Sequence, residues 1–324
     1  MKLSFYQYEL SPIGSFKPKV PRSGSLLKMD FEDGTIGYAD CHPWTELGDD
    51  PVQEQLRKLQ GGETTRVTER CLYFGRIDAM ARANNKSVFE NLQIPKSNWI
   101  ITHPDMTSEE EIKKAVREKF TYFKLKVGND LDKELLFLQK LAGWLSPIDF
   151  KLRLDFNLKL SESQFINFLK KLEPLHEKID YIEDPFTFDP ARWAAIQKKH
   201  TIRLACDFRS HLALDHPEAA AILVIKPAIQ DEAIFLESLR GNQHLGITSC
   251  LDHPLGQVSA AYVAALCYEK APQRVGVCGL TSHYLYEPNA FSKLLTVTDT
   301  RLNAPPGTGF GFDSLLKDLP WKGL

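Results

Sequence analysis

Five short apolar runs, each ending in charge, constrain this chain more than any other feature. They are Tyr122–Gly128, Leu152–Asn157, Tyr181–Pro185, Leu204–Asp207 and Val224–Pro227. Their charged ends are Lys126, Asp155, Glu183, Asp207 and Lys226, which follow one another by 29, 28, 24 and 19 residues. Each interval holds one strand, one loop and one returning helix. That rhythm predicts parallel strands closed into a β/α barrel, whose strand ends converge on one face and carry the chemistry. Side chains alternate along a strand, so Lys124 and Lys126 point the same way. One acidic strand end is ordinarily a helix cap or a solvated charge. Three in successive strand ends would repel one another if buried without a cation.

The flanking pattern agrees. From Trp99 onward eight strands are read, separated mainly by helices: 99–102, 122–127, 150–156, 181–183, 203–206, 222–225, 246–249 and 274–278. A short helix is placed at 217–221 and another at 289–295. Before Trp99 the chain reads as small α+β structure. Leu3–Leu10 is a first strand; Leu26–Phe31 and Ile36–Asp40 flank Asp33-Gly34, a strong hairpin turn. Helices follow at 51–60 and 64–85. The expected fold is α/β: a (β/α) barrel, a modified TIM barrel, over 98–296, with a small N-terminal α+β capping domain over 1–97. The tail, 297–324, is expected to fold back onto the cap. Its glycine run at 307–311 follows no clear strand and opens no long helix, so it is no dinucleotide fingerprint. Ser11–Gly24, rich in Pro, Gly, Ser and Lys, reads as a loop able to cover a site built elsewhere. His42, His253 and His283 read as satisfied surface histidines.

Composition removes several function classes. A net charge of −2 gives no bulk attraction to nucleic acid or an anionic membrane. No apolar run approaches the roughly 20 residues that span a bilayer. The amino terminus lacks the apolar core of a signal peptide. The six cysteines are scattered without Cys-x-x-Cys spacing, and are expected reduced and buried in a cytoplasmic protein. The oligomeric state is left open, with a monomer sufficient.

The charged strand ends point to one chemistry. Asp155, Glu183 and Asp207 offer oxygen ligands to a hard divalent cation, magnesium or manganese. Lys124 and Lys126 face Lys226 across it. Lys226 follows a strongly apolar run, and beside a metal and other ammonium groups its pKa is expected to fall toward neutrality, as a general base requires. The matching reaction removes a proton from the carbon next to a carboxylate, so the expected partner is a small-molecule carboxylate substrate.

At these residues the chain resembles the enolase superfamily, in its muconate-lactonising subgroup. The marks are Lys124-Leu125-Lys126, Asp155-Phe156-Asn157, Glu183-Asp184-Pro185, Asp207 and Lys226-Pro227, with Gly37–Pro43 and the tail Gly307–Asp313 extending the likeness over nearly the whole chain. Modest length and a compact first domain most resemble the o-succinylbenzoate synthase branch. The resemblance implies magnesium on Asp155, Glu183 and Asp207, and an enediolate formed and dehydrated by Lys126. It implies that Lys124 tunes Lys126 and that Lys226 stabilises the anion. Asn157, Ser249 and Gly279 would line the substrate. The segment Thr248–His253 departs from the serine-rich, glutamate-containing sequence expected after strand seven. N-acylamino acid racemases, dipeptide epimerases and cycloisomerases share the same metal and lysines. A Schiff-base aldolase would need one lysine and no carboxylate trio. A barrel kept as a scaffold would be inactive and indifferent to magnesium.

Overall fold

The structure, a computed structural model, describes residues 1–13 and 21–324. The first sheet is antiparallel. Strand β1 (Lys2–Leu10) pairs along its length with β2 (Arg22–Asp30), and β2 with β3 (Ile36–Cys41) across the turn at Gly34, whose φ is +79°. Alternation buries Leu27, Met29, Ala39 and Cys41, which the two following helices, α1 (Val52–Gln60) and α2 (Arg66–Ala83), help to cover. Thr65 caps α2 in a capping box with Thr68.

The second sheet is parallel and strictly sequential. Its strands are β4 (Trp99–Ile101), β5 (Tyr122–Lys126), β6 (Lys151–Asp155), β7 (Ile179–Glu183), β8 (Leu204–Cys206), β9 (Ile222–Ile225) and β10 (His244–Ile247). Helices α3 (Glu109–Arg117), α4 (Leu131–Leu145), α5 (Glu162–Leu172) and α6 (Pro190–His200) join the first five strands. Their N-caps are Ser108, Asp130, Ser161 and Asp189, each accepting from a backbone N–H of the first turn. Helices α7 (Glu232–Ser238) and α8 (Pro254–Lys270) follow β9 and β10. Strands β4, β8 and β9 are apolar throughout, as a sheet covered on both faces requires, while β5, β6 and β7 interleave charged residues with the apolar ones.

The eighth strand departs from expectation. Residues 274–278 make isolated parallel bridges instead of a regular strand. Val275 pairs with Leu245 and Cys278 with Ser97, while Gly279 pairs with Thr248. Asn98 N donates to Cys278 O at 2.8 Å, and Ser249 N to Gly279 O at 3.0 Å. The segment thus joins β10 to the start of β4 and closes the ring with few bonds. Gly276 and Gly279 leave it without the side chains that would stabilise a ladder. Two helices also differ. Residues 217–221 are turns after a 3₁₀ segment at Ser210–Ala213, and 289–295 holds only a 3₁₀ turn, Ser292–Leu294.

The carboxyl-terminal residues return to the first sheet. The small strands β11 (Val297–Thr298) and β12 (Arg301–Leu302) pair with each other, and α9 (Asp313–Lys317) leads to β13 (Lys322–Gly323), which adds antiparallel to β1. Phe310 packs on Phe74, and its backbone N–H donates to the fully buried Asp78 at 2.6 Å. The stretch read as a covering loop lies partly outside the described residues. Of the rest, Arg22–Gly24 belongs to β2, and Ile13 N donates to Leu285 O at 3.0 Å. All six cysteines are free and buried.

Candidate active site

Register brings the charged strand ends together. Lys126 is the Cα partner of Asp155 across β5 and β6, and Asp155 is the partner of Glu183 across β6 and β7. Glu183 pairs with Ala205, which places Asp207 two residues farther along and on the same side. Lys226 follows the last residue of β9.

The side chains meet as opposite charges. Lys124 is buried, with Nζ 2.7 Å from Glu183 Oε1 and 3.1 Å from Asp155 Oδ2. Lys126 Nζ lies 3.9 Å from Asp155 and donates to Asn157 Oδ1 at 3.4 Å. Lys226 Nζ bonds both oxygens of Asp207. Asn157 Nδ2 donates to Asp155 Oδ1 at 2.5 Å, so Asn157 ties Lys126 to the carboxylate row. Ser249 and Gly279 meet at the closure, and Ser249 Oγ donates to Ser282 Oγ at 2.8 Å. Ser282 continues to Gln257 Oε1 at 2.9 Å.

Electrostatics sort the carboxylates. Burial alone would raise Asp155, but Lys124 and Lys126 hold it down at about 2. Glu183 is pushed up to about 7 by burial and by the Asp155 charge, against the pull of Lys124. One correction follows for Lys226. Burial favours its neutral amine, yet the Asp207 carboxylate outweighs burial and raises the pKa. Held by Asp207, the Lys226 ammonium is placed to face an anion. Lys124 is raised in the same way by Asp155 and Glu183 against the burial that would lower it.

The donor set fits a divalent cation. Glu183 Oε2 is buried and has no hydrogen-bond partner. Its other oxygen already has Lys124, and burying a bare carboxylate oxygen is costly. Three acids with all-oxygen donors match a hard cation. Among the described residues no three His, Cys, Asp or Glu side chains close by themselves into ligand geometry; each of the three acids instead leans on a lysine.

Two parts of the site have no clear signal in the sequence. Asp184, with φ +42°, accepts from Asp207 N at 3.1 Å and Phe208 N at 2.8 Å, and so fixes the turn that presents Asp207. The motif containing it is visible, but its role depends on which backbone amides it meets. The second part is a wall from the first sheet. Trp44 Nε1 donates to Cys250 O at 2.6 Å, and Arg22 stacks 3.3 Å over the Trp44 ring. Cys250 is close enough to Lys226 to feel its charge. The three loop histidines are also not on the surface: His42, His253 and His283 are all buried.

Known proteins share both domains. Residues 3–81 match the model of the o-succinylbenzoate synthase N-terminal domain, and residues 107–315 match the enolase C-terminal domain-like model. An o-succinylbenzoate synthase of Bdellovibrio bacteriovorus is 34% identical over 333 residues, covering 100% of this chain and 99% of that one. The chain belongs to the o-succinylbenzoate synthase family of the enolase superfamily. Solved structures share the fold at lower identity. An N-succinyl Arg/Lys racemase from Bacillus cereus superposes with TM-score 0.76 at 17% identity over the whole of both chains. A muconate lactonizing enzyme from Pseudomonas putida gives 0.72 at 14% identity, over 95% of each chain. The superfamily's modified barrel with a small antiparallel cap is the architecture described above.

Proposed function

We propose that this chain is an o-succinylbenzoate synthase: a cytoplasmic, magnesium-dependent hydro-lyase acting on a small carboxylate substrate and supplying menaquinone biosynthesis. The observation that carries the reading is the pairing of opposed lysines with a row of buried acids, one of which presents an unpartnered oxygen, in a chain 34% identical to an enzyme of that name. Asp155, Glu183 and Asp207 would hold magnesium, or manganese in its place. Bound there, the ion supplies positive charge toward the substrate carboxylate and the negative charge that develops on it.

The remaining steps belong to the chain's own residues. Lys126, as its free amine, takes the proton from the carbon beside the carboxylate. Lys226, held as an ammonium, faces the resulting anion and the ring. Lys126 then returns the proton to the departing hydroxyl, so that a carbon–oxygen bond breaks, a double bond forms and water leaves. Lys124 keeps Asp155 and Glu183 in place and limits the charge around Lys126. Asn157, Ser249 and Gly279 line the substrate. We assign 1–97 with the tail 297–324 to the cap and 98–296 to the barrel. Among the described residues no helix is long and apolar enough to cross a membrane.

A racemase of the same superfamily is the second reading, favoured by the fold match to the N-succinyl Arg/Lys racemase. Ultraviolet detection of o-succinylbenzoate formed from its cyclohexadiene precursor, with magnesium and then with a chelator, tests the first reading. Metal-dependent dehydration is expected. Absence of turnover together with deuterium exchange into an N-acyl amino acid would transfer the assignment to the racemase.

A further inference from the structure

A second set of acids lies between the first sheet and the barrel, away from the catalytic lysines. Asp40 is the penultimate residue of β3. Asp252 sits in the loop between β10 and α8, in the segment Thr248–His253 that departs from the family pattern. Asp252 is 2% exposed and Asp40 is half-buried. Their Oδ2 atoms converge on Gly256 in α8: a Cβ there would lie 2.5 Å from Asp40 and 2.8 Å from Asp252. Asp40 accepts from Tyr8 Oη at 2.6 Å and from His253 N at 3.1 Å. The oxygens of Asp252 make no hydrogen bond of full geometry, and only the backbone amides of Cys250 and Asp252 itself lean toward them.

No cation among the described residues balances them. From β1 the pair is faced by Tyr8, from β3 and its end by Cys41 and His42, and from α2 by Cys71. The barrel contributes Cys250, His253 and Tyr286; α8 contributes only the neutral Gly256 and Ser259. Arg22 is the nearby cation and is turned toward Trp44 and Glu46. The histidines cannot substitute for it, because burial holds His42 and His253 at about 3. His42 is therefore neutral. With Tyr8 donating to Asp40, His42 Nδ1–H donates to Tyr8 Oη across 2.8 Å, leaving Nε2 without a proton. Two carboxylates this close and without a cation cannot both be ionised at neutral pH.

We propose that Asp40 and Asp252 form a neighbouring acid pair that holds a proton at neutral pH and docks the cap on the barrel, keeping the wall beside Lys226 in position. Burial pushes both acids up, Asp252 to about 7 against the pull of the Asp252 and Cys250 backbone amides, and the Asp252 charge raises Asp40 further. The pair joins the strand leading to Trp44 to the loop carrying Cys250, the two ends of the 2.6 Å hydrogen bond next to Lys226. Loss of the proton places two charges across that junction. The consequence for substrate binding rests on the dehydratase reading; the docking does not.

The sign follows from linkage. Unfolded aspartates release their protons near pH 3.9, whereas the folded protein holds both acids up, Asp252 to about 7. The pair's contribution is complete below pH 3.9 and is lost as pH rises through about 7. Over that window the unfolding constant rises by up to about tenfold per pH unit from this pair alone. Asp252→Asn keeps the shape but cannot ionise. Thermal unfolding of the magnesium-loaded full chain between pH 5 and 8 should therefore fall more steeply for wild type than for Asp252→Asn. The variant should be the more stable of the two at pH 8. Parallel curves overturn the proposal. Infrared spectra give a readout independent of both activity and the variant's folding. In a Glu183→Gln background, which removes the other buried acid titrating near 7, the carbonyl band of a buried protonated carboxyl should weaken between pH 6 and pH 8; an unchanged band also overturns the proposal. With substrate, KM should rise with pH in wild type more than in Asp252→Asn, while kcat at saturation follows the same profile in both. Failure of turnover altogether would count against the dehydratase reading and leave the unfolding and infrared tests standing.

Discussion

The molecule buries two groups of acids and neutralises them by opposite means. At the barrel mouth Asp155, Glu183 and Asp207 are each within reach of a lysine, and Glu183 still presents a bare oxygen. At the cap junction Asp40 and Asp252 have no lysine or arginine among the described residues, only a phenol, backbone amides and each other. In the first group cations are built around the acids, and Lys124 and Lys126 hold Asp155 charged even though burial pushes Glu183 up to about 7. The second group is built to lose charge, because a junction between two layers gains from a neutral contact and is harmed by repulsion. The presence of ammonium groups decides which acids act as ligands.

Removing the cations from the first group should give the largest effects. Lys126→Ala deletes the proposed acid and base at once, and turnover should fall by about 10³-fold or more, with circular dichroism unchanged. An active Lys126→Ala protein would end the mechanism. Lys226→Ala should lose turnover comparably and, because it strips Asp207 of its partner, should alter magnesium affinity as well. Glu183→Gln removes the orphaned negative oxygen. Magnesium binding, followed by calorimetry, should weaken by about 100-fold, or roughly 2.7 kcal/mol; an unchanged isotherm would take Glu183 out of the metal set. Asp184→Asn probes the backbone amides behind Asp207 and should weaken the metal by about tenfold, since it removes an orienting contact and no ligand.

The contrast also marks what can be read from sequence. The ligand row is legible because apolar runs ending in charge recur at β/α intervals, and a parallel sheet converts that spacing directly into neighbours: Lys126, Asp155 and Glu183 are register partners. The closing segment at 274–279 is legible as an apolar run, but its weakness as a strand is not. Bridges of one residue leave no periodic signal, and its glycines remove the rest. The protonation of Lys226 runs against the sequence expectation because the nearest charge is Asp207, 19 residues earlier, which weighs more than the burial visible in Ala220–Ile225. The acid pair is invisible for a different reason. Asp40 and Asp252 lie far apart in the chain, and each alone resembles a loop carboxylate. His42, His253 and His283 look like surface residues for the same reason: their neighbours come from distant parts of the chain.

The smallest predicted effects sharpen the comparison most cleanly, because they use the same substitution in two helices. Gly256→Ala puts a methyl 2.5 Å from Asp40 Oδ2 and 2.8 Å from Asp252 Oδ2, distances that no carbon tolerates without displacement of the acids. It should destabilise the protein by about 1–3 kcal/mol, the usual cost of overpacking. The loss should shrink in Asp252→Asn only if the held proton draws the carboxyls together there. Gly143 in α4 has nothing within 4 Å of the point a Cβ would occupy. With no neighbour to displace, Gly143→Ala should instead stabilise by about 0.5–1 kcal/mol through helix propensity alone. Denaturant unfolding at pH 6 measures both. Opposite signs would confirm that the space at Gly256 belongs to the acids. Equal signs would mean that the pair can separate freely, and that the junction depends on its apolar neighbours instead.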